Sequence, residues 1–442
     1  MRAHLLLLTL GLVAACGGSS EAPADGSSPT DTSTGSSTVD SGSATDTGDP
    51  TDPGDPTADV ATIEALVDGS VDPVEGMMAI GWSGGFPVAA DDGVWFVHWA
   101  SEGSWSVAGN FSDWEPQAMT ASGEVHTLFV EGLSLEDAAG MQYKFVRDGS
   151  EWMADPWARS YTHDAYGEIS YVAPPSDTWH LERWPWLEGE GLVPRDVRVF
   201  VPAGEGPWPV LYAHDGQNLF DPGAIWGGWR LQEALARTGL DDDVLVVGID
   251  NTGDRMVEYT HVDDRALGYD WDARGDDYAA LVHEHLRPHI EAVYGSTGHD
   301  GVMGSSLGGL ISLHIAQTYP GEYDFVASLS GTLGWGRFEM ANDTMEERWL
   351  AAPPSDIVVY VDSGGSTGPD GVCRDLDGDG FPEDDPDSSD NYCETRQFAD
   401  ALAANGFTWD DTLFHWHELE APHNEAAWAA RVDLPLQLFV RN

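Results

Sequence analysis

Residues 302–310 read Val-Met-Gly-Ser-Ser-Leu-Gly-Gly-Leu. An apolar strand end runs into Gly304-x-Ser306-x-Gly308, and a helical pattern (Ile311, Leu313, Ile315) follows at once. This layout lifts a serine hydroxyl above the carboxyl edge of a parallel sheet on a tight turn. Small residues are needed on both sides, because the strand and the helix nearly touch. A bare Gly-x-Ser-x-Gly is often only a loop. The strand before it, the helix after it and partners in the right order set this one apart and make Ser306 a candidate nucleophile. Such a hydroxyl needs a base to take its proton. In the chain order serine, acid, histidine, the base comes last. His423, in Glu420-Ala421-Pro422-His423-Asn424-Glu425, falls late and between a strand pattern and a helix pattern.

The elements that must position these residues are legible from about residue 176 onward. Apolar runs at 195–202, 208–214, 243–249, 301–303, 325–330 and 357–362 read as strands, with a last strand at 409–419. Helical patterns at 229–237, 278–294, 394–404 and 424–432 alternate with them. Nearly continuous apolar strands separated by helices predict a mostly parallel sheet covered by helices on both faces. With the serine turn, this is the α/β-hydrolase fold class, spanning 176–442.

A second motif, His214-Asp215-Gly216-Gln217-Asn218-Leu219-Phe220-Asp221, follows the buried strand at 208–214. Together with Gly304–Gly309 and His423–Trp428 it closely resembles the enterochelin-esterase-like family of α/β-hydrolases, over about residues 190–442. The resemblance implies that Ser306 is the nucleophile and His423 the general base. It also implies that the backbone amides of Leu307 and of Gln217 (or Gly216) receive the tetrahedral oxyanion. The acid is expected after Val359-Tyr360-Val361-Asp362-Ser363-Gly364-Gly365. Relatives carry a carboxylate about three residues past that glycine, where this chain has Thr367. A local insertion moves the expectation to Asp370, with Asp362 as competitor and Asp390 third. Four tryptophans, Trp226, Trp229, Trp271 and Trp335, are candidate lining for an aromatic or sugar ring.

The insertion at 373–393 carries Asp375, Asp377 and Asp379 at loop positions 1, 3 and 5 and Gly380 at 6, the spacing of a calcium loop. It resembles the Asp-rich repeats of thrombospondin-type modules. Pro386 stands at position 12, so Glu383 or Asp387 would have to supply the last ligand. Any Ca²⁺ here is expected to be structural; the chemistry itself needs no cofactor.

Further upstream the reading concerns delivery. Arg2, the apolar run Leu5–Val13 and Val13-Ala14-Ala15-Cys16 look like a lipoprotein signal (1–16), with Cys16 the lipidated residue. Residues 17–59 are Ser, Thr, Asp, Gly and Pro with few large apolar side chains, a composition that stays an unfolded tether. Setting Cys16 aside leaves Cys373 and Cys393, which in an oxidising compartment pair most simply as a disulfide; two free thiols are the alternative. Short alternating strands at 93–99, 105–109, 125–130 and 141–146 predict a β-sandwich over 60–175. Val107–Trp114 and Tyr143–Gly149, with Trp152 and Asp155-Pro156, resemble the immunoglobulin-like early-set modules related to glycogen-binding domains.

The chain has 76 acidic and 19 basic residues among its 442, a net charge of −57, with Lys144 its one lysine. Such a field disfavours nucleic acid and anionic membrane surfaces as partners. The expected partners are a small or glycan-linked ester and, through a lipid anchor alone, a membrane. The function expected from sequence is an exported, lipid-anchored serine esterase on the periplasmic or cell-surface side. The alternatives are a glycan-binding surface lipoprotein with a degenerate hydrolase domain, or an acyltransferase.

Overall fold

The computed structural model describes residues 56–441 apart from 369, 377 and 379. Cys16, the segment 1–16 and the tether up to residue 55 therefore lie outside the described residues, as do Asp377 and Asp379. Among the described residues no helix is long and apolar enough to cross a membrane.

The N-terminal lobe opens with two helices, Pro56–Asp68 and Pro73–Trp82. Ten strands follow: β1 (Val88–Ala90), β2 (Gly93–Trp99), β3 (Trp105–Gly109), β4 (Gln117–Ala118), β5 (Thr120–Ser122), β6 (Val125–Glu131), β7 (Gln142–Arg147), β8 (Glu151–Met153), β9 (Ser160–Asp164) and β10 (Gly167–Tyr171). β1-β2-β6-β5 form one sheet, and β10-β7-β3-β4 belong to a second. Val94 and Phe96 from the first meet Trp105, Val107, Tyr143 and Phe145 from the second in one buried cluster. Alternate side chains of a strand face opposite ways, so Val97 and Val125 point outward, where Ile63, Leu66, Met77 and Ile80 of the two helices cover them.

The C-terminal lobe carries β11 (His180–Leu187), β12 (Arg195–Val201), β13 (Trp208–His214), β14 (Leu245–Ile249), a small hairpin of β15 (Asp264–Ala266) and β16 (Tyr269–Trp271), then β17 (Ser296–Ser305), β18 (Phe325–Leu329), β19 (Val358–Ser363) and β20 (Leu413–His417). The order is β11-β12-β14-β13-β17-β18-β19-β20, parallel from β14 to β20. Successive residues of each strand enter different cores. Val210, Tyr212, Val302 and Val359 pack on one face with the helix Leu307–Thr318, and Leu211, Ala213, Met303 and Tyr360 on the other with Trp428 and Phe439. Burial on both faces is why these strands read as unbroken apolar runs.

The two lobes share one sheet. β9 pairs antiparallel with β11 through Leu181↔Tyr161 and Glu182↔Ser160, so hydrogen bonding continues from β20 to β4. The strand β11 was not evident from sequence: Pro185 interrupts it, and Trp186 sits at φ 56° where the register shifts. A cluster around Arg159 rivets the junction. Its guanidinium lies 3.4 Å from the Trp184 ring and donates to the carbonyls of Arg183 and Gly81, while Trp82 Nε1 donates to Pro185 O. The predicted strand at 409–419 is shorter, Leu413–His417, because residues 408–412 fold into a turn.

Cys373 and Cys393 form the expected disulfide, with a sequence separation of 20. Closing a loop of that size removes about 3 kcal/mol of chain entropy from the unfolded state. Replacing both cysteines by Ser is therefore expected to lower unfolding stability by about 3 kcal/mol, read from the urea midpoint.

Candidate active site

Ser306 sits between β17 and the helix Leu307–Thr318 at φ 58°, ψ −126°, a backbone conformation that non-glycine residues rarely adopt. The turn is held by its neighbours: Ser306 N donates to Leu329 O, and Thr332 N donates to Ser306 O. A Cβ on Gly304 would come within 2.5 Å of the Gly308 carbonyl, and one on Gly309 within 2.5 Å of Ser328 Oγ. The spacing of small residues thus follows from strand and helix lying in contact. The helix is buried from Leu307 to Ala316, not on one face alone.

His423 lies on the loop after β20, and the carboxylate facing it is Asp390. Nδ1–H of His423 donates to Asp390 Oδ1 at 2.8 Å. The opposite nitrogen, Nε2, is buried and has no hydrogen-bond partner among the described residues. Asp390 is fully enclosed and accepts three further hydrogen bonds: Asn391 N on Oδ1 at 2.9 Å, and Ser330 Oγ and Gly364 N on Oδ2 at 2.5 and 2.7 Å. Burial pushes its carboxyl up, but the His423 charge and hydrogen bond, the Arg431 guanidinium and Ser330 outweigh that, and the net direction is down. Asp390 is thereby held ionised, and Nδ1 of His423 carries the proton.

The carboxylate bonded to His423 is thus not Asp370, the one expected first from sequence, but the third alternative, Asp390. Asp370 is exposed and paired with Arg374, which holds its carboxyl below the usual range; it faces no histidine. Asp362, at the end of β19, is buried and engaged elsewhere, accepting from Tyr360 OH at 2.9 Å and pairing with Arg431 Nε at 3.0 Å. The chain leaves the strand end at Ser366 and comes back to it 22 residues later, where Ser388 Oγ accepts from Ser366 N. The returning segment sets Asp390 against Gly364, which is so close to Ala421 O that a Cβ there would lie 2.1 Å from it. His423 N donates to Ser389 O on the same segment. The insertion therefore brings a carboxylate back beside the end of β19 and against His423.

Ser330 joins the nucleophile turn to this pair. It follows β18 at φ 48°, between Leu329 and Thr332, the two residues that bond the Ser306 backbone. Its Oγ donates to Asp390 and accepts from Trp428 Nε1 at 3.1 Å and Arg431 Nη2 at 2.6 Å. The helix Glu425–Arg431, which starts two residues after His423, thus folds both its Trp and its Arg under the acid.

On the other side, Gly216–Asn218 form a 3₁₀ turn directly after β13. Leu307 opens its helix, so its N–H has no intrahelical acceptor and is available to an anion, as are the first amides of the 3₁₀ turn. Asp215 sets the turn. It is left-handed at φ 61°, and its carboxylate binds Arg255 at 2.7 and 2.8 Å and Asn251 Nδ2 at 2.6 Å. Gln217 Oε1 accepts from Asn251 N. His214, the other histidine of the motif, is sealed against Tyr278 OH at 2.9 Å; burial pushes it down to about 3, so it stays neutral and structural.

Of the four tryptophans, Trp229 and Trp335 are core and Trp271 is half-buried; Trp226 is exposed, on the loop after the 3₁₀ turn. In the acidic insertion, Asp375 accepts from Gly378 N and Gly380 N, and Glu383 accepts from Leu376 N; Asp387 is exposed. Among the described residues no three His, Cys, Asp or Glu are grouped to hold a metal.

A serine turn at the end of β17, a carboxylate–histidine pair beyond β19 and β20, and an amide-bearing turn after β13 define an esterase-type hydrolase fold. The chain belongs to the Esterase family, whose model, described as "Putative esterase", matches residues 193–435. Among curated proteins it resembles the uncharacterized protein YbbA of Bacillus subtilis (strain 168), at 27% identity over 169 residues, which cover 37% of this chain and 63% of that protein. Among solved structures it is similar to the enterochelin esterase of Shigella flexneri (17% identity, TM-score 0.41, covering 80% of this chain and 93% of that one). It is also similar to the siderophore hydrolase EstA of Aspergillus nidulans (17% identity, TM-score 0.44, covering 59% and 94%).

Proposed function

We propose that the protein is an exported, lipid-anchored serine hydrolase of carboxylic esters, with Ser306, His423 and Asp390 as its triad. The observation that carries this reading is the 2.8 Å bond from His423 Nδ1–H to an enclosed, ionised Asp390, which makes Nε2 the nitrogen of the neutral ring that can take a proton. Ser306 Oγ attacks the ester carbonyl carbon as its proton passes to His423 Nε2. The carbonyl oxygen becomes the tetrahedral oxyanion, facing the amides of Leu307 and Gln217. The C–O bond then breaks, the alcohol leaves with the proton from Nε2, and the acyl group stays on Ser306. A water molecule repeats the sequence with His423 as base and releases the acid. Cys16, as the lipidated residue, places this chemistry outside the cytoplasm.

The test is covalent. A fluorophosphonate is expected to label the protein once, at Ser306 by peptide mapping, and the label should be blocked by one class in a panel of siderophore, feruloyl and acetyl-sugar esters. Absence of label, with saturable polysaccharide binding by the same protein, would favour a binding protein instead. Acyl transfer to an added alcohol in preference to water would favour an acyltransferase.

A further inference from the structure

Glu425 is the first residue of the helix that follows His423, and its side chain is not directed at solvent: the residue is 3% exposed. Oε1 accepts from Asn218 Nδ2 at 3.3 Å, across 207 residues of sequence. Oε2 is buried and takes no hydrogen bond from any other of the described residues. Asn218 is the last residue of the 3₁₀ turn that contains Gly216 and Gln217, and its carbonyl accepts from Trp229 N. A single side-chain contact therefore spans the site, from the segment that carries the histidine to the turn that offers amides to the oxyanion.

We propose that Glu425 is a positioning residue that fixes the distance between the His423 loop and the oxyanion turn through Asn218. The inference rests on the ester-hydrolysis reading above. Its physical basis is that the histidine and the oxyanion amides must serve one reacting carbonyl, although they come from segments far apart in sequence. A displacement of about 1 Å between such groups costs about 100-fold in rate.

The charged and titratable groups facing Glu425 are Asp215 on the oxyanion side, Arg255 and, on its own segment, His423. Arg255 is engaged with Asp215 by two hydrogen bonds. Burial, reinforced by the Asp215 carboxylate, pushes the Glu425 carboxyl up to about 7 against the opposing pull of its own N–H, Arg255 and His423. Below that pH the side chain is neutral, and the tie to Asn218 places no negative charge beside the developing oxyanion. Above it, the ionised carboxylate adds a second negative charge to that of Asp215, next to amides whose task is to receive a third. The sign follows: activity that depends on Glu425 is present on the acid side of about pH 7 and falls as pH rises through it.

The experiment compares the full-length protein with Glu425→Ala and Glu425→Gln, using kcat/KM for a short p-nitrophenyl ester against pH and the Asn218 side-chain amide resonance in ¹H–¹⁵N spectra. Glu425→Ala is expected to lose about 100-fold in kcat/KM. Glu425→Gln, which keeps an acceptor for Asn218, is expected to recover to within about tenfold of the wild type and to lack the decline above about pH 7. The Asn218 amide should titrate near pH 7 in the wild type and not in Glu425→Gln. An Asn218 resonance that ignores pH in the wild type, or a Glu425→Ala profile superimposable on the wild type, would overturn the proposal. The resonance needs no turnover, so it separates this inference from the esterase reading, which fails on absence of the Ser306 label.

Discussion

Asp390→Asn is expected to lower kcat on a p-nitrophenyl ester by about 10⁴-fold while leaving the fold intact by circular dichroism. The reason lies in the direction of one hydrogen bond. Asp390 Oδ1 only accepts, so Nδ1 of His423 carries a proton and, in the neutral ring, the base is Nε2. Oδ2 of Asp390 already accepts from Gly364 N and Ser330 Oγ, so an asparagine there would need its one oxygen on both sides at once. Whichever way its amide is turned, it puts an NH₂ either against those donors or against Nδ1. Against Nδ1 it reverses the tautomer, moving the proton to Nε2, where a proton from Ser306 has to go. Asp370→Asn is the control, and its kcat should stay within about twofold, because that side chain is exposed and faces only Arg374. A large effect at 370 with a small one at 390 would reverse the assignment.

The contrast between these two aspartates shows what was legible in the sequence. Ser306, His423 and the His214–Asp221 turn were readable because each lies at the junction of one strand and one local turn. There, the apolar run and the small residues are fixed by contacts within a few positions. Gly304 against Gly308 is such a contact. Asp390 was not readable in the same way. Its position depends on where a 22-residue excursion closes, and the closing bonds (Ser366 to Ser388, His423 to Ser389, Asp390 to Gly364) join segments with no shared periodicity. Glu425 and Asn218 are 207 residues apart and meet only because β13 and the last helices share one end of the sheet. The lobe junction was hidden for a similar reason: strand pairing between β9 and β11 leaves no local mark, and Pro185 disguises the strand itself.

One signal in the composition could have led to the acid. The chain has only 19 basic residues for 76 acidic ones, so an arginine in otherwise apolar surroundings has a specific carboxylate to serve. Four buried or half-buried pairs bear this out: Arg195–Glu258, Arg198–Asp250, Arg255–Asp215 and Arg431–Asp362. The last is the one on which the site depends. Arg431 is 6% exposed and lies 3.0 Å from Asp362 and 3.8 Å from Asp390, both fully enclosed, with Ser330 Oγ bonded between. Burial pushes the Asp362 carboxyl up and Arg431 opposes this, while the Asp390 charge adds to the push. Removing the guanidinium leaves two enclosed carboxylates facing each other with no cation between them.

Arg431→Met keeps the length and apolar stem of the side chain and deletes the charge, and it is expected to cost about 3–5 kcal/mol in urea unfolding at neutral pH. The loss should depend on pH in a defined direction. Asp390 is depressed in the folded state, so its contribution is present above its unfolded value and disappears as pH falls through the folded one. Without Arg431 the depression shrinks, and the acid limb of kcat/KM should move to higher pH. Asp362→Asn in the Arg431→Met background removes the surplus carboxylate without touching His423, and should recover part of the stability and shift the acid limb back. A double variant no better than Arg431→Met would mean that the guanidinium acts by packing under Trp428 and Ser330, not by its charge. Recovery of the acid limb together with stability would instead make Asp362 the reason that an acidic protein spends an arginine here, since the guanidinium lies between the carboxyl at the strand end and the one brought in by the insertion and screens each from the other.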